Sequence, residues 1–254
     1  SLIFVAVPSA GFASVCREMA PFISPDDVLI SATKGIEPDG FRLMSQLLGD
    51  LTPSEHVGAI SGPNLAEEIA AQQYAGTVIA TLRQQDAVLV QEVMRNDTLR
   101  VYASADVYGV ELGGALKNIY AIGAGIAMGL GYGDNFLSVL ISNASQEMKR
   151  FLAAIHEHDR DVKESAYLGD LLVTAYSPHS RNRTLGMMIG KGYSVKGAIM
   201  EMNMVAEGFN GSNGIFHLNK KFEVEMPIAD AVYRILHERM SPVIEMRLLT
   251  EQLA

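Results

Sequence analysis

Apolar residues fall in short unbroken blocks along the N-terminal part of the chain. Residues 2–7 (Leu-Ile-Phe-Val-Ala-Val) make the first block, which stops at Pro8-Ser9. A continuous apolar run bounded by turn residues is the pattern of a strand buried on both faces, as in a parallel sheet. Residues 28–33, 57–60, 77–80 and 99–103 repeat it. Helical stretches separate these blocks, running up to about residue 20 and then over 40–48, 66–71 and 84–94. Strand and helix alternating at this spacing predict a mostly parallel sheet with helices on its faces.

Beyond about Val107 the strand pattern stops. Residues 111–131, 135–155, 183–191, 194–200, 212–221 and 229–238 read as helices, with Gly131-Tyr132-Gly133-Asp134 breaking the first from the second. The change of pattern marks a boundary near residues 104–108, giving an α/β domain over 1–105 and an all-helical domain over 106–254.

The first of these helices is apolar nearly all round from Val110 to Ala127, as a buried helix is. It also holds Gly113, Gly114, Gly123 and Gly125, each of which weakens a helix by up to about 1 kcal/mol relative to alanine. Close approach of another backbone or a ligand would compensate. Into this cylinder the chain sets Lys117 and Asn118. An ammonium removed from water is shifted towards its neutral form, which suits it to proton transfer. The alternative is structural: Lys117 snorkels to the surface or pairs with Glu111 or another carboxylate.

Composition narrows the picture. The 254 residues suffice for one large or two smaller domains, and 48% hydrophobic with 19% charged residues describes a well-packed chain. A net charge of −9 argues against general affinity for nucleic acid. The single cysteine, Cys16, excludes an internal disulfide and leaves zinc without a second thiol, and His156 and His158 have no metal-ligand spacing with carboxylates on one face, so no metal site is expected. Cys16 reads as a small buried apolar residue, and such cysteine usage fits a reducing cytoplasm. No apolar run is long enough for a membrane span.

In open α/β sheets ligands bind at the carboxyl ends of the strands. Three such ends carry suggestive residues: Pro8-Ser9, Thr33-Lys34-Gly35 and Ser61-Gly62-Pro63-Asn64. No Gly-x-Gly-x-x-Gly turn precedes Leu2, and the chain starts in mid-pattern, so the sheet reads as the second half of a doubly wound domain. In the helical part, Asp170 and Thr174 lie four apart on one helical face. Residues 177–183 form a loop entering a helix, with Ser180, Arg181, Asn182 and Arg183 suited to a phosphate. Its bland reading is a helix cap at Ser180 or Asn182 with Arg181 in solvent. His179 reads as a loop hydrogen-bonder, and Met200, Met202 and Met204 as core filling.

Several of these motifs occur together and in order: Ser61-Gly62-Pro63-Asn64, Lys117-Asn118, Leu168-Gly169-Asp170 with Thr174, and Ser180-Arg181-Asn182-Arg183. With the Ser-Ala-Thr-Lys-Gly-Ile-Glu run at 31–37 and Glu225-Met226-Pro227-Ile228, the chain closely resembles the bacterial type of NAD(P)-dependent glycerol-3-phosphate dehydrogenase. The resemblance implies a partial Rossmann-like parallel sheet followed by a helical substrate or dimer-type domain. It implies interconversion of dihydroxyacetone phosphate and sn-glycerol 3-phosphate, a precursor of phospholipids, with NAD or NADP.

By the same likeness Lys117 is the general acid/base, Asp170 and Thr174 orient it and the substrate hydroxyls, and Asn118 sits alongside. Ser180, Arg181 and Asn182 take the phosphate, while Lys34, Gly62 and Asn64 line the cleft. Lys34, Ala66, Arg181, Val205 and Glu207 are the cofactor contacts. The implied partners are a phosphorylated small molecule and, for assembly, a homodimer; nucleic acid is excluded. Some departures stand out. The family's nucleotide-binding half is expected to be missing, Glu164-Ser165-Ala166-Tyr167 replaces a glycine-rich run, and on the second helix Asn143 replaces an arginine, where Phe136-Leu137 also replaces a more polar pair. The competing readings are a non-catalytic homologue that binds a phosphorylated metabolite, and a related dehydrogenase for another hydroxy compound.

Overall fold

A computed structural model describes residues 1–202 and 204–253. Its chain divides into two compact units, one made of Ser1–Gly114 with His158–Asp170, the other of Ala115–Glu157 with residues 171 onward.

The first unit is built on a five-stranded sheet. Strands β1 (Leu2–Val5), β2 (Val28–Ser31), β3 (His56–Ser61), β4 (Ala75–Thr81) and β5 (Leu99–Ser104) lie side by side in sequence order. All neighbours are parallel except β3 and β4, which run antiparallel with Ser61 opposite Val78. A parallel return needs a crossover as long as the strand. The only helix between β3 and β4 is the five-residue α3 (Ala66–Ala70), about 8 Å long against about 20 Å for a six-residue strand. The chain therefore re-enters the sheet in the opposite sense.

Side-chain alternation divides the core between the two faces. Val28 and Ile30 point with Ile60, Ile79 and Val101 towards Ala87 and Val90 of α4 (Gln84–Met94). Leu29 points the other way, among Phe12 and Cys16 of α1 (Ser9–Met19) and Met44, Leu47 and Leu48 of α2 (Met44–Leu51). Cys16 is buried and unpaired, as expected.

Helix α5 (Val107–Gly129) runs on from this unit into the second, where α6 (Asp134–Ile155), α7 (Asp170–Tyr176), α8 (Arg181–Gly190), α9 (Val195–Glu201), α10 (Glu207–Asn219), α11 (Pro227–His237) and α12 (Pro242–Thr250) follow. Two glycines of α5, Gly125 and Gly129, mark a helix crossing. A Cβ on Gly125 would strike the Arg183 carbonyl, and one on Gly186 the Ile122 carbonyl, so α5 and α8 meet backbone to backbone. Here the compensation for glycine is close approach of a helix.

The structure corrects two expectations, the start of α10 and the methionines as core, and adds two elements. Helix α10 starts at Glu207 rather than near 212, and α12 was not expected. A π-helical turn over Ser165–Gly169 precedes α7. Met200 is exposed rather than core, because Ala198 alone of α9 turns inward, and Met204, beyond that helix, is exposed as well. No helix among the described residues is long and apolar enough to cross a membrane.

Candidate active site

In the sheet unit, the ends of β2 and β3 converge on one carboxylate. Lys34 follows β2, and its Nζ donates to the Gly62 carbonyl (2.8 Å), Asn64 Oδ1 (2.7 Å) and Asp170 Oδ2 (3.0 Å). Asp170 is 1% exposed, and the same oxygen accepts from Ser61 Oγ and the Gly62 N–H, each at 3.1 Å. One carboxylate oxygen thus accepts from three donors. The turn after β3 is possible because Gly62 has φ +100°, and a side chain there would also crowd the backbone N of Val78. Behind it, Thr77 of β4 donates to the Ser61 carbonyl (2.9 Å) and accepts from Asn64 Nδ2 (2.9 Å).

Two further buried carboxylates stiffen this unit. Burial pushes the Asp106 carboxyl up, but Arg160, Tyr167 and the Gly109 N–H all donate to it and bring it down to about 2. Tyr167 belongs to the segment that departs from the glycine-rich run, and here its hydroxyl serves as an internal donor. Glu111 is pushed up to about 7 by burial, against the donors it accepts from Ser45 at the start of α2. The structural alternative that spent Glu111 on Lys117 is not what forms; Glu111 caps α2.

In the helical unit, Lys117 is 5% exposed, so it does not snorkel, and its Nζ donates to Thr174 Oγ1 at 2.9 Å. Asn118 Oδ1 accepts from Asn182 Nδ2 (2.9 Å), whose own Oδ1 accepts from the N–H of Gly208 (2.9 Å), next to Glu207 at the start of α10. Ser180 caps α8 by accepting from the Arg183 N–H, as the bland reading expected. Arg181 is exposed, with Nη1 3.4 Å from the Val205 carbonyl. Arg183 Nε is buried without a partner.

Within its own unit, each candidate from the sequence is thus gathered except one: Lys34, Gly62, Asn64 and Asp170 in the first, Lys117, Asn118, Thr174, Ser180, Arg181, Asn182, Val205 and Glu207 in the second. Ala66 stands apart, exposed at the start of α3. The sequence reading missed Thr77. Nothing but its place in an apolar block marks it, because its role depends on β4 running antiparallel.

A Rossmann-like sheet followed by a helical domain with a buried lysine defines the class, that of two-domain dehydrogenases. A family model described as the NAD-dependent glycerol-3-phosphate dehydrogenase C-terminus matches residues 106–246, and its N-terminal counterpart matches residues 1–87. The glycerol-3-phosphate dehydrogenases (NAD(P)+) of Alcanivorax borkumensis and Pseudomonas putida are 41% and 44% identical to the chain over 237 residues, which is 93% of the chain and 69% of each relative. The crystal structure of glycerol-3-phosphate dehydrogenase from Coxiella burnetii superposes with a TM-score of 0.94 at 33% identity, covering 98% of this chain and 77% of that one. The chain belongs to the NAD-dependent glycerol-3-phosphate dehydrogenase family.

The match at residues 1–87 corrects the expectation that the nucleotide-binding half is missing. That expectation rested on the lack of a Gly-x-Gly-x-x-Gly turn.

Proposed function

We propose that the chain interconverts dihydroxyacetone phosphate and sn-glycerol 3-phosphate with NAD or NADP, on the route to phospholipids. The observation that carries the reading is Lys117, 5% exposed in an apolar helix with Nζ directed by Thr174. The strand-end group suits the nicotinamide end of the cofactor. Lys34, Asn64 and Ser61 set donors and acceptors at the carboxyl ends of β2 and β3, where such sheets bind ligands. When bound, the cofactor supplies or takes a hydride at that end.

The chain's own residues do the rest. Lys117 Nζ gives its proton to the oxygen that becomes an alkoxide, and takes it back in the oxidative direction. Thr174 holds the ammonium in direction, and Asp170 carries the negative charge that orients the hydroxyls. Asn118 and Asn182 stiffen each other, so that Asn182 presents a fixed amide beside Ser180. Arg181, exposed and always charged, pairs with the substrate phosphate or the cofactor, with Ser180 alongside. A phosphate handle held in this way positions the carbonyl for reaction. Lys34 and Gly62 line the substrate from the sheet, and Lys34, Ala66, Val205 and Glu207 contact the cofactor. The division into domains 1–105 and 106–254 belongs to the same reading, supported by family matches that leave a gap between residues 87 and 106. So do a cytoplasmic location and a homodimer, the former supported by the lone buried thiol.

The test is NAD(P)H oxidation driven by dihydroxyacetone phosphate. The chain is expected to turn over, and Lys117→Ala to lose about 10²–10⁴-fold in kcat. An unchanged rate in that variant removes the mechanism. Calorimetric binding of glycerol phosphate without turnover would instead support the non-catalytic homologue, and turnover of another hydroxy compound alone would support a related dehydrogenase.

A further inference from the structure

We propose that Thr77, which lies on β4 outside the set of residues assigned above, is a positioning residue that fixes Lys34 through the amide of Asn64. The inference rests on the proposed role of Lys34 towards substrate and cofactor. Thr77 is 1% exposed, and its hydroxyl has a single proton, which goes to the Ser61 carbonyl at 2.9 Å. Its lone pairs are then left to accept, and Asn64 Nδ2 donates to them at 2.9 Å.

That choice, with the Ser61 carbonyl that accepts from Nδ2 at a longer 3.4 Å, sets which way the Asn64 amide faces. With Nδ2 turned to Thr77, Oδ1 is turned to Lys34, 2.7 Å from a nitrogen that can only donate. A flipped amide would set two donors against each other at that distance. The ammonium would then lose one of the acceptors that direct it, while the Gly62 carbonyl and Asp170 stay in place. The hydroxyl thus acts as a keyed stop: its own donation to the β3 backbone makes it an acceptor, and that fixes the polarity of the next group along. The antiparallel return of β4 is what brings it there, since it sets Val78 opposite Ser61.

The experiment is a double-mutant cycle read as KM against kcat for dihydroxyacetone phosphate and for NAD(P)H. Thr77→Val, which keeps the shape and removes the hydroxyl, is expected to raise KM about tenfold with kcat changed less than about threefold. Thr77→Ser keeps the hydroxyl and is expected to restore KM. In an Asn64→Ala background the Thr77→Val change is expected to have no further effect on KM, because the amide through which it acts is gone. An equal KM rise in both backgrounds, or an unaltered KM in the single variant, overturns the proposal. Should Thr77→Val fold poorly, Thr77→Ala runs through the same cycle. An active wild type with a silent cycle refutes this inference alone, whereas activity that survives Lys117→Ala refutes the reading on which it rests.

Discussion

A buried ammonium is tolerated only where its protons have acceptors, and the two lysines solve that problem differently. Lys34 spends donors on a carbonyl, an amide and a carboxylate, and so is a fixed fixture of the strand ends. Lys117 donates to the Thr174 hydroxyl, which sets the direction of the ammonium. Removing the hydroxyl should therefore disorient Lys117 while leaving it in place. Thr174→Val is expected to lower kcat about 10- to 100-fold, the worth of a hydrogen bond to a charged group, while Thr174→Ser retains most of the rate. Steady-state kinetics on the two variants checks this; equal losses in both would show that packing, and not the hydroxyl, is what Thr174 supplies.

At the scale of elements, glycine has two meanings in this chain. In the α5–α8 crossing it lets backbones touch, since a Cβ on Gly186 would land on the Ile122 carbonyl. In α2 it has no such purpose: a Cβ on Gly49 meets nothing within 4 Å. Gly186→Ala is accordingly expected to destabilise by about 1–3 kcal/mol through overpacking. Gly49→Ala should stabilise by up to about 1 kcal/mol through helix propensity. Thermal unfolding of the two variants gives opposite signs if the crossing is as tight as described. The sequence showed that α5 was buried and glycine-studded, because an apolar cylinder is a local pattern. It could not show that α8 was the partner, which is a tertiary fact. Asp170 and Thr174 were legible for the same local reason, four residues apart on one helix. Thr77 was not, because its function follows from strand direction. Helix α12 hid behind Ser241-Pro242, which resembles a stop but places proline in the first turn, where its missing N–H costs nothing. Helix α10 likewise hid its start in Glu207-Gly208, a glycine that packs on the Asn118 carbonyl.

For the molecule as a whole, the acid–base balance of folding turns on buried carboxylates that their surroundings have moved in opposite directions. Glu111 in the sheet unit and Glu147 in the helical unit are each pushed up from 4.5 to about 7 by burial, only partly offset by the N–H groups they accept from. Glu147 is wholly buried and caps α11 through the N–H groups of Ile228 and Ala229. A group that holds its proton more tightly when folded contributes stability below its unfolded value, and loses that contribution as pH rises through the folded one. Both glutamates therefore favour the folded state less and less between about 4.5 and about 7. Asp106 has the opposite sign, because its donors outweigh burial and bring it from 3.8 to about 2. Its contribution is present above 3.8 and fades as pH falls towards 2. Comparing a variant with the wild type at each pH cancels every other titrating group. Glu111→Gln cannot ionise, so its melting temperature should gain on that of the wild type as pH climbs across the same window, and Glu147→Gln should do so independently. Asp106→Asn should behave in reverse, losing most where the carboxylate is fully charged and converging on the wild type in acid. Parallel curves for wild type and Glu111→Gln across that window would mean that the carboxyl at 111 is ionised throughout, and that Ser45 and the N-terminus of α2 repay its burial in full.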